Sequence, residues 1–419
     1  MPDANVNQVV SHLFRHEAGK MAAVLARMVG LQHLDIAEDI VQDTLLQALN
    51  VWKVKGIPEN PPAWLYTVAK RKAIDVIRQR TSHAHIEQSL AQAFKSEWTL
   101  SPAIRHLFFE HEIEDSQLRM MFACCHPAIT YESQIALILK TLCGLSIAEI
   151  AHSFLVSEET ITKRLYRARE KIRAEGIELE IISPQTLNTR QGTVLHTLYL
   201  LFSEGYNSTH PDQLIRHDLC EEAMRLCLLL TKNKLTDSPD VNALLALMCF
   251  QASRADARLN SSGNIILLQN QDRLSWNKSL IQKGNEFLDK ATAGEDLTEY
   301  HLEAVIAATH ARAVTFEATD WKNILMLYEL LSSIKKDPVV ELNKAIAIGF
   351  ANAPAEGLAY LKTIKGLEEN SIYHAALGDF YSKTENSQAA KEHYTMASRL
   401  TQSSSEIELL ASKINALSD

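Results

Sequence analysis

The chain has 419 residues, 46% of them hydrophobic and 22% charged, with a formal net charge of -9. That balance excludes both a weakly hydrophobic disordered chain and a protein coated along its length with nucleic acid. No apolar run approaches the ~18 residues needed to cross a bilayer.

The opening MPDANVNQVV has no cationic flank and no apolar signal segment, so a cytoplasmic location is expected. Only 14 glycines and 11 prolines occur. With Ala, Leu, Glu, Gln and Lys spread throughout, this scarcity predicts an all-α protein. Residues 6–29 read as one helix, with Val9, Val10, Leu13, Phe14, Met21, Val24, Leu25 and Met28 at its apolar positions and Gly30 closing it. A second helix, 35–53, opens on Asp35, Glu38, Asp39 and Asp43, where acids suit the positive end of the helix dipole. Ile36, Ile40, Val41, Leu45, Ala48, Leu49 and Trp52 are its expected buried side.

KVKGIPENPPAW is a loop, helix being excluded from 56 to 62 by Gly56 and three prolines. Helix then resumes in AWLYTVAKRKAIDVIRQR, whose last eleven residues carry five cations and one acid. Leu65, Val68, Ala69, Ala73 and Val76 share one side, and Arg71 and Arg78 lie opposite with Lys70 at the border. Lys72 projects from the apolar arc and must snorkel at an edge. These helices make a first domain, 1–82, followed by a mixed, weakly periodic linker, 83–114.

A second small domain, 115–178, ends in LSIAEIAHSFLVSEETITKRLYRAREKIRAEG. Ser146 and Glu149 fit a capping box for a helix over 147–154, and Ser157 caps the next. In that helix Ile161, Leu165, Ala168 and Ile172 face inward, and Lys163, Arg164, Arg167 and Lys171 face outward. Helix, short turn and cationic helix form the pattern of a DNA-binding helix-turn-helix. A solvated basic surface helix is the plainer alternative.

Beyond residue 190 the pattern stays helical, in a 190–317 extension and a 318–419 region. SSGNIILLQNQDRLSW is the one place where a short strand could intrude. Leu377, Gly378, Tyr381, Ala390, Tyr394 and Ala397 have the small-and-large spacing of a tetratricopeptide-like helix pair, with a weaker copy around Ala345, Ile348, Gly357 and Leu361. The six cysteines form no CxxC pair and read as buried apolar residues. Cys124, Cys125 and His126 lack a further ligand cluster, so neither a metal nor a cofactor is expected. His196, Glu204, His210, His217 and Asp218 lack a paired catalytic spacing, and the chain is not expected to be an enzyme.

Residues 1–180 resemble the bacterial RNA polymerase sigma factors of the extracytoplasmic-function type, which keep the second and fourth conserved regions. LDIAEDIVQDTLLQAL is similar to their helix that docks on the clamp of the polymerase largest subunit. PPAWLYTVAKRKAIDVIRQR is similar to the segment that opens and reads the promoter -10 element, and 146–173 to the module that reads the -35 element. LYLLFSEGYNSTHPD resembles the signature of the subgroup with a long C-terminal helical extension. Arg71 departs from the Asn often found there, and Pro61 and Pro62 replace the usual ornament before the tryptophan.

The resemblance implies core polymerase binding through Asp35, Glu38, Asp39, Gln42 and Asp43. It implies -10 contacts, duplex and single-stranded, by Lys70, Arg71, Arg78, Arg80 and Trp64. It implies -35 contacts by Thr160, Lys163, Arg164, Arg167 and Lys171. Trp64 also suits a core anchor. The C-terminal half is expected to regulate or dock. The competing expectation is a stand-alone helix-turn-helix regulator whose helical tail dimerises or binds a ligand, for which the acidic edge at 35–43 has no use.

Overall fold

The computed structural model describes residues 2–83, 110–154, 156–180, 183–208, 214–294 and 296–417. Among these the fold is helical, and the only β pairing is an isolated antiparallel bridge between Leu259 and Ile265. That bridge lies where the sequence suggested an extended intrusion. The chain divides into two compact units, Met1–Leu200 with Asn233–Thr236, and Leu201–Lys232 with Asp237–Asp419.

The first unit opens with α1 (Pro2–Val29), α2 (Leu34–Lys55) and α3 (Pro61–His83). Gly30 takes a φ of 91°, which only glycine adopts without strain, and ends α1. Leu34, Ala37, Ile40, Val41, Thr44, Leu45, Ala48 and Trp52 are buried on α2. Ile36 and Leu49, expected on that side, are half-buried because the buried stripe is rotated toward Ala37 and Thr44. Phe14, expected in the core of α1, is 38% exposed. Helix α3 starts inside the stretch expected to be loop. Pro61 and Pro62 occupy its first turn, where their missing N–H groups cost nothing, and the Asn60 side chain accepts from the Ala63 N–H at 3.1 Å.

Next come α4 (Glu110–Cys124), α5 (Tyr131–Thr141), α6 (Ile147–Ser153), α7 (Glu158–Ala174) and α8 (Pro184–Tyr206). Residues 110–114, expected in the linker, are the first turn of α4; residues 84–109 of that linker lie outside the described residues. The turn is held by Arg27 of α1, which donates to Glu112 at 2.8 Å and Asp115 at 3.1 Å. Ser146 and Glu149 form the expected reciprocal cap at 2.7 and 3.1 Å. Arg190 of α8, 9% exposed, donates to the Phe122 carbonyl at the end of α4, where a cation complements the helix dipole.

In the second unit α9 (His217–Lys232) packs on α10 (Pro239–Ala252), whose residues 241–250 are all buried. A helix apolar all round belongs at the centre of a unit. Around and after it follow α11 (Lys278–Ala291), α12 (Glu299–Arg312), α13 (Trp321–Ile334), α14 (Pro338–Ala351), α15 (Pro354–Leu361), α16 (Ser371–Lys383), α17 (Ser387–Leu400) and α18 (Ser404–Ala416). From α13 onward each helix packs mainly on its neighbours in sequence, the one-dimensional logic of a helical stack.

Small residues set the spacing in that stack. A Cβ at Gly349 would lie 2.1 Å from the Phe380 ring, and one at Gly378 2.5 Å from the Tyr394 ring. Tyr394 is buried and donates to Asp379 at 2.6 Å. Of the residues in the expected small-and-large pattern, Gly378 meets Tyr394 in this way, and a Cβ at Gly357 of the weaker copy would lie 2.9 Å from the Ala345 carbonyl oxygen.

Candidate nucleic-acid interface

Helix α7 is built to present one face. The Ser157 hydroxyl accepts from the Thr160 N–H at 3.2 Å, and Glu158 and Glu159 complement the positive end of the helix. Ile161, Leu165, Ala168 and Ile172 are all buried, which orients the opposite face outward. Lys163, Arg167 and Lys171 are exposed there. Two of the three are held by salt bridges one turn away, Lys163 to Glu159 at 2.6 Å and Lys171 to Glu175 at 2.8 Å.

Thr160 and Arg164 are only half-exposed. The Thr160 hydroxyl bonds that of Ser157 at 2.9 Å, and Arg164 lies over the Phe154 ring at 5.9 Å. The outward face also carries Tyr166, 65% exposed, which the sequence reading passed over. Its position one turn beyond Thr162 and next to Arg167 was the available signal. An aromatic ring standing in solvent among cations is suited to a sugar or base edge.

On α3, Arg71 and Arg78 are exposed and Lys70 is half-buried, while the Arg80 side chain lies outside the described residues. Trp64 packs edge-on against Trp52 with centroids 5.3 Å apart, so the core anchor is the role its geometry fits. Lys72 snorkels as expected and reaches Asp43 at 3.5 Å.

The acidic edge of α2 is divided. Asp39, Gln42 and Asp43 are exposed, and Gln42 borders an open cleft of about 590 Å³ that also exposes Phe14 and Leu46. Glu38 is different: its side chain is 18% exposed and accepts from Arg169 of α7 at 2.6 Å. Burial raises its pKa, opposed chiefly by Arg169. Asp35 lies 3.7 Å from Arg173, which also donates to the Gln32 carbonyl at 3.4 Å. Expected as an outward docking group, Glu38 is here turned toward the cationic helix. A partner 131 residues away was not visible in the sequence.

A second close approach joins the same two modules. Gly19, in the middle of α1, leaves so little room that a Cβ would sit 1.9 Å from the Leu142 carbonyl oxygen. Glycine inside a helix costs about 1 kcal/mol relative to alanine, and here it admits a neighbouring backbone.

All six cysteines are free and buried, with Cys124 pushed up to about 12 by desolvation. The His126 ring accepts from the Ala128 N–H at 3.2 Å. Among the described residues no group of three His, Cys, Asp or Glu is placed to hold a metal. The scattered histidines of the C-terminal half are engaged separately: His196 stacks near Tyr199, and His217 lies 3.6 Å from Asp256. Glu204 accepts from Ser208 and Asp218 from Arg216. His210 lies outside the described residues. No described helix is long and apolar enough to cross a membrane.

Residues 13–83 match sigma-70 region 2 and residues 119–172 match sigma-70 region 4, while 190–292 match a family of unknown function, DUF6596. The uncharacterized protein R00370 of Rhizobium meliloti (strain 1021) is 32% identical over 92% of this chain and 91% of its own length. The ECF RNA polymerase sigma factor SigM of Bacillus subtilis (strain 168) is 26% identical over 33% of this chain and 78% of its own. No solved structure matches the chain.

Proposed function

Since the chain belongs to the sigma-70 family, as an extracytoplasmic-function factor with a C-terminal extension that binds core RNA polymerase and promoter DNA to direct transcription initiation, we propose how its residues divide that work. The outward face of α7 reads the -35 element, with Lys163 and Arg164 near the start of the helix at base edges and Arg167 and Lys171 on phosphates. Thr160 lies at the same entrance. Lys70, Arg71, Arg78 and Arg80 track the -10 backbone, duplex and then single-stranded, with Trp64 fixing the start of their helix. Asp39, Gln42 and Asp43 meet basic groups on the polymerase clamp, and the apolar cleft beside Gln42 adds contact area. The C-terminal half regulates or docks.

The observation carrying this reading is the cationic outer face of α7 over a fully buried inner face, in a helix capped at its start. Asp35 and Glu38 join the docking edge only after Arg173 and Arg169 leave them. The -35 and -10 elements lie about 25 base pairs apart, on the order of 85 Å along B-form DNA. A unit of about 200 residues has a radius of gyration of only ~16 Å, so the two modules part when both elements are engaged.

Promoter-specific initiation by core polymerase, with and without the full chain, tests the whole. Arg169→Ala frees Glu38 and is expected to tighten core binding several-fold. Unchanged binding removes Glu38 from the docking edge, and absence of promoter-specific initiation defeats the entire assignment.

A further inference from the structure

The second unit gathers arginines around one indole. Trp276, 2% exposed, has the guanidinium carbon of Arg273 4.7 Å from its ring centre and that of Arg254 at 5.6 Å. His310 lies in the field of both arginines and edge-on to Trp321 at 5.3 Å. Arg273, 6% exposed, is anchored from one side: it donates to the His310 and Ala313 carbonyls at the end of α12 and to the Thr319 hydroxyl.

What these groups lack is an acceptor. The Trp276 Nε1, Arg273 Nε, Arg254 Nε and His310 Nδ1 atoms are all buried without a hydrogen-bond partner. Neither Arg254 nor Arg273 has a carboxylate within ion-pair distance among the described residues. Glu317 acts on Arg273 only through space. Arg254 makes no side-chain hydrogen bond to any described residue. Aromatic faces compensate a cation only in part, and an unpaired half-buried guanidinium with a second beside it is left short of negative charge. Buried donors in such number call for a ligand that accepts.

We propose that Arg254, Arg273 and Trp276 form a binding site for an oxyanion, a phosphate or a carboxylate, carried on a small ligand of the C-terminal unit. Its negative charge offsets the mutual repulsion of the arginines, and its oxygens accept from the four orphaned N–H positions, His310 contributing in its Nδ1–H tautomer. Arg273 is the fixed wall, held by the end of α12. Arg254, half-exposed and without a bond of its own, is the arm that closes on the ligand from the solvent side. The site joins the segment between α10 and α11 to the end of α12, so its occupancy stiffens the unit. It stands apart from polymerase and promoter binding and does not depend on them.

The test is calorimetric titration of the full-length protein with inorganic phosphate and, separately, with acetate, each at matched ionic strength. Saturable binding of either identifies the oxyanion class, and the arm that binds tells phosphate from carboxylate. Phosphate stabilises folded proteins generally by exclusion from their surface, so melting shifts count only as the difference between parent and Arg254→Gln. That variant removes a cation with no structural bond. It is expected to melt no lower than the parent without ligand and to lose at least tenfold in affinity. Trp276→Phe, which keeps a ring and deletes one donor, is expected to weaken binding several-fold. Equal affinity in parent and Arg254→Gln, or heat from neither anion, overturns the proposal.

Discussion

In the first unit the apolar packing of α1 on α4 is bordered by ion pairs that link the helices of two modules: Arg27 with Glu112 and Asp115, Arg169 with Glu38, Arg173 with Asp35. In the C-terminal stack, successive helices meet through apolar clusters and ring-on-glycine contacts, as at Leu302, Ile324 and Leu331 or at Gly378 and Tyr394. The exposed pair of Arg173 with Asp35 exchanges for other partners at small cost, because screening and hydration make up most of what is lost, whereas the more buried pair of Arg169 with Glu38 costs more to break. Packed rings do not exchange at small cost, since any separation leaves apolar surface wet. The modules of a unit that meets polymerase and DNA thus carry charged contacts beside their apolar ones, and the stack relies on apolar contacts that hold. Gly19 on Leu142 adds a close backbone approach to the first set.

The strongest test of this contrast is Gly349→Ala. Its new methyl would strike Phe380, which is 3% exposed and has little room to move. A loss of about 1–3 kcal/mol is expected, confined to the second unit's unfolding transition and followed by denaturant melting. An unchanged midpoint would mean that the ring can shift and the stack is looser than described.

Acidification should separate the units next. Burial and the nearby arginines lower His310 from 6.5 to about 3. Because the folded form holds its proton less tightly than the unfolded chain, the stability at stake is complete above pH 6.5. It drains away as the pH falls toward 3. His310→Phe cannot titrate and should flatten that part of the second unit's stability curve; parallel curves for parent and variant would remove His310 as the cause.

The smallest effect is expected at Lys163. Its bridge to Glu159 joins side chains that are 62% and 74% exposed, so Lys163→Ala should change stability by no more than about 0.5 kcal/mol. The same change should alter which -35 sequences bind in a competition assay. Preference identical to the parent's would strike Lys163 from the readers.

Legibility followed the range of the interactions. The inward residues of α7, its cap and the capping box before it were readable because helix period and capping act within a few residues. The helical character of the C-terminal half was readable for the same reason, and side chains such as Asp320, Asn370 and Asn386 cap its helices. The start of α3 was misread because prolines that break a helix inside it are harmless in its first turn. Phe14 and Glu38 were misplaced because a helical wheel shows which sides of a helix differ and not what each side meets.

Sequence alone thus determined that the chain is helical, where its helices turn their apolar sides, and that two cationic helices lie in the order of region 2 and region 4. These are local properties, written in period, capping and charge along a few turns. Only the tertiary structure decided that Glu38 faces Arg169, that Gly19 admits the Leu142 backbone, and that Arg254 and Arg273 share one indole. Such pairings depend on the three-dimensional path between distant residues, which no periodicity along the chain encodes.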